Sequence, residues 1–315
     1  MNKLAVVALG GNALLRGDQV GTIDEQEQNT FDTLENLVYL IKEGYDIVIG
    51  HGNGPQVGNI LMRNDAGEHM YNIPQMPLDI CVADSQGGIG YMIERMLRNV
   101  LKKHNIQKEV VTLVTCVVVD KNDPAFADPQ KRVGKIYTRE EADKLIADKG
   151  WIFKEEVKAQ GGFRRVVPSP KPISIMNESV VESLARQGNI VITVGGGGVP
   201  VYIDEENRIR PSEAVIDKDL ASAVLAKEVK ADRFYIITDV PKACLNYNKP
   251  NQVQLDHLTV AEAKKYAEAG EFAAGSMGPK ILAAINFVEN GGKEAIITCE
   301  EELTKENCGT RITMN

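Results

Sequence analysis

The chain repeats one pattern, a short run of apolar residues that ends at glycine. Residues 4–9 end at Gly10-Gly11, residues 46–49 at Gly50, and residues 189–194 at Gly195. A continuous apolar run is typical of a strand buried on both faces, as in a parallel sheet covered by helices. Further strands are predicted at 110–119, 233–237 and 294–298.

Amphipathic helices are predicted between these strands. From residue 24 to residue 43, apolar side chains recur at three- and four-residue steps, and Gly44 stands at the C-terminal cap position. Further helices are predicted at 85–103, 217–229, 260–269 and 279–290. Alternating strands and helices indicate an α/β fold with a mainly parallel sheet.

One segment interrupts the pattern. Between about residues 120 and 172, charged residues and prolines become more frequent, and Thr138 with Glu141 forms a capping-box pattern before a short helix. We predict an inserted lid subdomain here. The chain then divides into residues 1–210, which include the lid, and residues 211–315.

Charge and cysteine content exclude several classes. Lys and Arg (36) against Asp and Glu (44) give a net charge of −8, which argues against nucleic-acid and anionic-membrane partners. The sequence contains neither a signal peptide nor an apolar stretch long enough to span a membrane. Five cysteines without a CxxC motif favour reduced thiols in a cytoplasm and argue against a zinc site.

Four glycine clusters are candidates for ligand binding: residues 10–12, 50–58, 195–198 and 275–278. In an open α/β sheet the ligand crevice lies beyond the carboxyl ends of the strands, where several clusters can meet. Glycine lets backbone N–H groups approach an anion closely. Any one cluster can equally be a tight turn, so the prediction depends on their convergence.

Common catalytic signatures are missing. The chain has no GxxxxGK[ST] motif, and Val57 takes the place of the third glycine of GxGxxG. It also lacks GxSxG, and its four histidines are far apart in sequence. These absences disfavour P-loop, dinucleotide-binding and hydrolase-triad interpretations. We expect the histidines to be surface or structural residues; among them, only His51 lies in a glycine loop.

Lysines are stronger candidates for chemistry. Lys218 and Lys280 lie at predicted helix starts, and Lys131 lies in the lid. Phosphoryl transfer needs cations around the transferred group, and helix N-termini supply additional positive potential. Pro279 suits the first position of the predicted helix that contains Lys280. Asp219 is expected either to orient Lys218 or to reach a magnesium ion.

A nucleotide base can be placed near residues 237–240, ITDV, which end a predicted strand. Tyr247 follows in a short loop and offers a stacking face. The backbone of Thr238, Asp239 and Val240 supplies hydrogen-bonding groups. Ordinary loop packing explains the same residues, so both interpretations stay open.

Taken together, the motifs resemble those of carbamate kinases, in the amino-acid-kinase superfamily, along nearly the whole chain. They are ALGGNAL at 8–14, GNGPQVG at 52–58, DSQGGIGY at 84–91, DPAFADPQKRVG at 123–134, RRVVPSPKP at 164–172, GGGGVP at 195–200, AVIDKDLAS at 214–222, ITDV at 237–240 and FAAGSMGPK at 272–280. Relatives with other acceptors usually carry GGK where this chain has GGN.

The resemblance implies a three-layer αβα sandwich around a mainly parallel, eight-stranded sheet. It implies reversible phosphoryl transfer between ATP and carbamate, with Mg²⁺ held mainly by the nucleotide. The N-terminal half would bind carbamate or carbamoyl phosphate, and the C-terminal half the nucleotide. In the family the reaction forms ATP at the end of arginine deiminase catabolism, and the enzymes are generally homodimers.

Site residues carry over by motif. The catalytic residues would be Lys131, Lys218, Asp219 and Lys280. The residues for carbamate would be Gly10, Gly11, Asn12, Gly52, Asn53 and Lys131. The residues for the nucleotide would be Lys218, Thr238, Asp239, Val240, Tyr247, Met277, Gly278 and Lys280.

Two alternatives remain at this stage. One is a kinase of the same fold that acts on another small acid, against which GGN and the long lid both count. The other is a catalytically silent regulatory member. Such a member would be expected to have lost Lys131, Lys218, Asp219 or Lys280, and all four are present.

Overall fold

A computed structural model describes residues 2–17, 19–156, 161–273, 275–305 and 307–315, with the backbone alone of Asn12. The strands in these ranges are β1 (Lys3–Leu9), β2 (Tyr45–His51), β3 (Val110–Thr112), β4 (Cys116–Val119), β5 (Lys131–Tyr137), β6 (Ile152–Glu155), β7 (Phe163–Val167), β8 (Pro172–Ile175), β9 (Ile190–Ile192), β10 (Val199–Ile203), β11 (Ile209–Pro211), β12 (Arg233–Thr238), β13 (Cys244–Leu245), β14 (Val253–Gln254), β15 (His257–Thr259), β16 (Glu294–Cys299) and β17 (Thr310–Thr313). The helices are α1 (Ile23–Lys42), α2 (Gln56–Tyr71), α3 (Leu78–Lys103), α4 (Arg139–Lys149), α5 (Glu178–Arg186), α6 (Lys218–Glu228), α7 (Val260–Glu268) and α8 (Met277–Glu289).

The central sheet has eight strands in the order β15-β17-β16-β12-β1-β2-β9-β3. Only the pairing of β16 with β17 is antiparallel. A second sheet has the order β11-β10-β4-β8, and β13 pairs with β14. The predicted α/β class and mainly parallel sheet are confirmed.

Strand β1 explains the layers on either side of this sheet. Leu4, Val6 and Ala8 pack into a core formed with α6 and α8, whereas the alternate residues pack on the opposite face against α1 and α3. Every residue from Leu4 to Leu9 is buried. The apolar run is continuous because both faces of the strand are covered by helices.

The segment predicted to be a lid contains a separate three-stranded antiparallel sheet in the order β5-β7-β6. Helix α4 connects β5 to β6 in the sequence. The capping box at the start of α4 is present as predicted, with Thr138 and Glu141 bonded reciprocally. None of the helices in the described ranges combines the length and apolar character that crossing a bilayer requires. All five cysteines are free thiols.

Three local predictions were wrong. Residues 110–119 form two strands in different sheets, because the side-chain amide of Gln86 bonds both the N–H and the carbonyl of Thr115 and ends the first ladder. Helix α2 was not predicted, and α3 begins at Leu78, before the expected residue 85. Helix α8 begins at Met277, so that Pro279 is its third residue and not its first.

Candidate active site

Two adjoining cavities lie beyond the carboxyl ends of the central strands. The larger has a volume of about 820 Å³ and is bordered by the ends of β1, β12 and β16 and by the start of α8. The smaller, of about 450 Å³, is bordered by the loop after β2, the start of α2, strand β5 and the start of α6. Gly11, Lys218 and Lys280 line both cavities. This position is the usual ligand crevice of an open parallel sheet.

All four glycine clusters reach these cavities. Gly11 borders both, Gly52 and Gly196 border the smaller one, and Gly275 borders the larger one. The convergence predicted from the sequence is therefore present. Gly10, predicted to contact carbamate, lies on the wall of the larger cavity.

Lys218, Asp219 and Lys280 form a buried ionic cluster on the shared wall. The Lys218 ammonium donates to Asp219 Oδ1 at 2.5 Å, and the Lys280 ammonium donates to Asp219 Oδ2 at 2.9 Å. Because each carboxylate oxygen is bound by a lysine, Asp219 orients both cations. Of the two roles predicted for Asp219, this geometry favours the orienting one.

The charges in this cluster are set by burial and by each other. Burial lowers the pKa of Lys218, with Lys280 acting in the same direction and Asp219 opposing it. Burial alone would raise the pKa of Asp219, but the two ammonium groups outweigh it and lower that pKa. With Asp219 ionised between two ammonium groups, the cluster has a net positive charge directed at the boundary of the two cavities.

A second ion pair connects β5 to the start of α6. The Lys131 ammonium lies 3.2 Å from Asp217 Oδ2, on the wall of the smaller cavity. The other oxygen, Oδ1, caps α6 by accepting from the backbone N–H of Asp219 at 2.9 Å. Asp217 was not among the predicted site residues, although an Asp immediately before a helix is a recognisable N-cap. Its contact with Lys131 has no local sequence signal.

Asn53, on the wall of the smaller cavity, has a side-chain donor without a partner in the described part of the chain. Its side-chain nitrogen Nδ2 is buried and has no hydrogen-bond partner among the described residues. Gly196 packs against it: a Cβ there would lie 2.8 Å from Nδ2, and Gly196 has φ +64°. Buried polar groups without partners are rare in proteins, so this amide is suited to donate to a ligand.

The predicted nucleotide residues occupy the larger cavity with one exception. Thr238, Asp239, Val240, Tyr247 and Met277 line it, whereas Gly278 does not. The Gly278 backbone N–H instead bonds to the carbonyl of residue 273 at 2.9 Å and shapes the turn before α8. The side chain of Asn12 lies outside the part of the chain that the structure describes.

Several residues of the larger cavity were missed from the sequence. Arg16, Lys242, Glu271 and Glu300 all contribute to its lining. Arg16 forms an ion pair of 3.2 Å with Glu300, 284 positions away in sequence. No short motif includes both residues, so this contact could only be found in the folded chain.

His51 is structural, as expected. It is buried at the end of β2, and its Nδ1 donates to the carbonyl of Gly52 at 2.7 Å. Burial lowers its pKa to about 4, so the ring is neutral near pH 7. The ring lies behind the wall of the smaller cavity without lining it.

Comparisons with known proteins agree with this geometry. The family model described as the amino acid kinase family matches residues 3–299. The carbamate kinase of Pyrococcus horikoshii is 50% identical over 99% of this chain and 100% of its own length, and carbamate kinase 1 of Enterococcus faecium is 48% identical over 96% and 95%. The solved carbamate kinase of Giardia lamblia bound to AMP-PNP superimposes with a TM-score of 0.91, at 42% identity over 99% of this chain and 98% of that one. This chain therefore belongs to the amino acid kinase family and, within it, to the carbamate kinases.

Proposed function

We propose that this enzyme catalyses reversible phosphoryl transfer between ATP and carbamate, giving ADP and carbamoyl phosphate. The observation that carries the proposal is the shared wall of Gly11, Lys218 and Lys280 between two cavities of unequal size. A phosphoryl group that passes from a nucleotide to a small acid has to cross such a boundary.

The larger cavity suits the nucleotide. Its volume of about 820 Å³ falls within the usual range of ligand pockets. Tyr247 offers a ring face for the base, and the backbone at the end of β12 offers hydrogen bonds. The solved Giardia relative is described as bound to AMP-PNP, an ATP analogue, which supports a nucleotide here.

The smaller cavity suits carbamate or carbamoyl phosphate. Its volume is about 450 Å³, and the unpaired Nδ2 of Asn53 is a donor for a substrate oxygen. The backbone N–H group of Gly11 can donate to the transferred group, whereas that of Gly52 already donates to the Leu9 carbonyl at 3.3 Å. Lys131 borders the same cavity and would exchange its contact with Asp217 for the substrate anion.

In the ATP-forming direction, an oxygen of the ADP β-phosphate attacks the phosphorus of carbamoyl phosphate. The new P–O bond forms as the bond from phosphorus to the carbamate oxygen breaks, and carbamate leaves. Carbamate is a weakly basic leaving group, so no general acid is required. Lys218 and Lys280 stabilise the charge on the transferred group, and Asp219 keeps both in place.

Magnesium is proposed to enter with the nucleotide. Both oxygens of Asp219 already accept from lysines, so this carboxylate is engaged in orienting the two cations. The nucleotide phosphates are therefore the expected main ligands of Mg²⁺, which neutralises negative charge between them.

The cellular setting is proposed from the family and the surface. A cytoplasmic homodimer that forms ATP at the end of arginine catabolism agrees with the free cysteines and with the exposed apolar side chains of Met70, Tyr71 and Ile73 at the end of α2. Light scattering on the purified protein tests the dimer: a monomer mass would refute it.

The central test is to mix the protein with carbamoyl phosphate and Mg·ADP and measure ATP. We expect ATP to form well above the uncatalysed background. A parallel panel of acceptors with Mg·ATP, containing carbamate, acetylglutamate and uridylate, tests the choice of substrate. No ATP from carbamoyl phosphate, or faster turnover of another acceptor, would overturn the proposal.

A further inference from the structure

The three-stranded sheet packs on α2, and one close backbone contact between them joins two glycines. A Cβ added at Gly58 would lie 2.8 Å from the Cα and 2.9 Å from the N of Gly134. Non-bonded carbon atoms do not approach so closely, so a side chain at position 58 would force β5 away from α2. Gly134 has φ +73°, in the left-handed region that favours glycine.

This contact lies next to the residue that the proposed chemistry needs. Lys131 begins β5, three residues before Gly134, and both residues line the smaller cavity together with Gly58. The distance between α2 and β5 therefore determines how far Lys131 reaches. Arg164 on β7 donates from Nε to the Gly134 carbonyl at 3.0 Å and so connects a second strand to the same point.

A second contact holds the sheet and α2 together at a distance from the cavities. The Lys149 ammonium, at the end of α4, lies 2.8 Å from Asp65 Oδ1 and 3.3 Å from Glu68 Oε2, both on α2. The same ammonium lies 5.1 Å from the ring centroid of Trp151. None of these four residues lines either cavity.

We propose that the contact of Gly58 with Gly134 sets how closely the three-stranded sheet packs on α2, and that Gly58 is a positioning residue for Lys131. The absence of a side chain at position 58 lets β5 come close enough for Lys131 to reach the smaller cavity. The inference rests on the proposed function, because the role of Lys131 belongs to it.

The first test compares two alanine substitutions in the same helix. In Gly58→Ala the new Cβ meets the backbone of Gly134, whereas in Gly67→Ala it meets only the Ile73 side chain at 3.8 Å, an ordinary contact. Displacement of a catalytic group by about 1 Å can cost 10²-fold, so we expect kcat for ATP formation to fall roughly 10- to 100-fold in Gly58→Ala. Gly67→Ala should keep the wild-type kcat, and alanine favours the helix in both variants.

The second test measures the packing of the sheet on α2 without using activity. Trp151 is the only tryptophan of the chain; its ring centroid lies 3.9 Å from the guanidinium carbon of Arg165 on β7 and 5.1 Å from the ammonium of Lys149, which bridges to α2. We expect acrylamide to quench its fluorescence more strongly in Gly58→Ala than in wild type or Gly67→Ala. Equal quenching and equal kcat in the two alanine variants would overturn the inference.

A third variant covers failure of Gly58→Ala to fold. Lys149→Met breaks the second contact without touching a cavity, and we expect kcat to fall about two- to fivefold, the range of a partly exposed ion pair. Because Lys149→Met weakens the packing of the same sheet on α2, wild-type kcat in this variant would show that the placement of β5 on α2 does not limit Lys131, which overturns the inference. If the wild-type protein itself makes no ATP, the proposed function fails. The quenching comparison then still tests whether the contact of Gly58 with Gly134 sets the packing of the sheet on α2.

Discussion

The two cavities differ in the charge of their walls and in the elements that build them. Apart from the lysines on the shared wall, the smaller cavity is bordered by four cations, Lys131, Arg132, Lys135 and Arg164, and by two carboxylates, Asp217 and Asp219. The larger is bordered by the carboxylates Asp239, Glu271, Glu300 and Glu301, with Arg16 and Lys242. The net charge of −8 therefore says little about either site. Positive charge is concentrated where the small anion is proposed to bind.

The walls also come from different parts of the fold. The larger cavity is built on the ends of central strands, which are held by pairing on both sides. The smaller cavity depends on β5, which belongs to a separate three-stranded sheet. Substitutions on the shared wall should therefore impair catalysis with both substrates, whereas substitutions in one cavity should affect one substrate.

The largest effect is expected on the shared wall. Lys218→Ala and Lys280→Ala should each lower kcat about 10²- to 10³-fold, because each removes a preorganised cation from the path of the phosphoryl group. Asp219 keeps one lysine partner in either variant, so the fold should persist. Lys227→Ala, an exposed lysine on the same helix as Lys218, is the control and should be fully active. Near-normal turnover in Lys218→Ala would remove it from the catalytic centre.

A smaller and more selective effect is expected in the smaller cavity. Asn53→Ala removes the unpaired amide donor and should lower kcat/KM for carbamoyl phosphate roughly 10- to 100-fold, as for the loss of a hydrogen bond to a charged group. The KM for ADP should stay unchanged, since Asn53 does not line the larger cavity. Steady-state kinetics with each substrate varied in turn measures both. A rise confined to the KM for ADP would reverse the assignment of the two cavities.

Much of the central sheet was predictable because its signals are local. Residues 4–9 carry the pattern of a strand buried on both faces, and the cap at Gly44 marks the end of α1, where Gly44 has φ +82°. Helix α2 was missed because its buried residues are Val57 and Gly58 alone, so no apolar stripe recurs along it at helical spacing. The split between β3 and β4 depends on Gln86, about 29 positions from Thr115 in sequence, and no local pattern reveals such a partner.

The candidate site was predictable to the extent that its motifs are short and contiguous. Lys218 and Asp219 are adjacent in one motif, and their contact was expected. The contacts of Lys280 with Asp219 and of Lys131 with Asp217 span 61 and 86 positions, and only the fold brings them together. The motif resemblance supplied the residue list and its division between the two substrates, but the position of Gly10 on the larger cavity and of Gly11 on both required the three-dimensional arrangement.

His51, buried at the end of β2, should make the stability of the fold depend on pH. The pKa of His51 is about 4 in the folded chain against 6.5 for a free side chain. Below pH 6.5 the unfolded chain therefore binds a proton that the folded chain excludes, and stability is lost as the pH falls from 6.5 towards 4. Between pH 7.5 and pH 5 the loss from this one group should be about 2 kcal/mol.

Urea unfolding at the two pH values, in wild type and in His51→Asn, isolates this contribution. Asparagine offers an N–H in place of Nδ1 but does not titrate, so the variant should lose about 2 kcal/mol less than wild type on acidification. Other titrating groups act equally in both proteins and cancel in the difference. Identical pH slopes would show that His51 is solvated in the folded protein.

The smallest effect is expected at the open edge of the larger cavity. Base stacking on an aromatic side chain contributes about 1–3 kcal/mol, and Tyr247 should lie at the lower end because it is 55% exposed. Tyr247→Ala should therefore raise the KM for ADP about fivefold, which corresponds to about 1 kcal/mol. Tyr247→Phe keeps the ring and should retain the wild-type value, and the KM for carbamoyl phosphate should not change in either variant. If alanine and phenylalanine give the same KM for ADP, the ring does not stack on the base, and recognition of the base depends on the backbone at the end of β12.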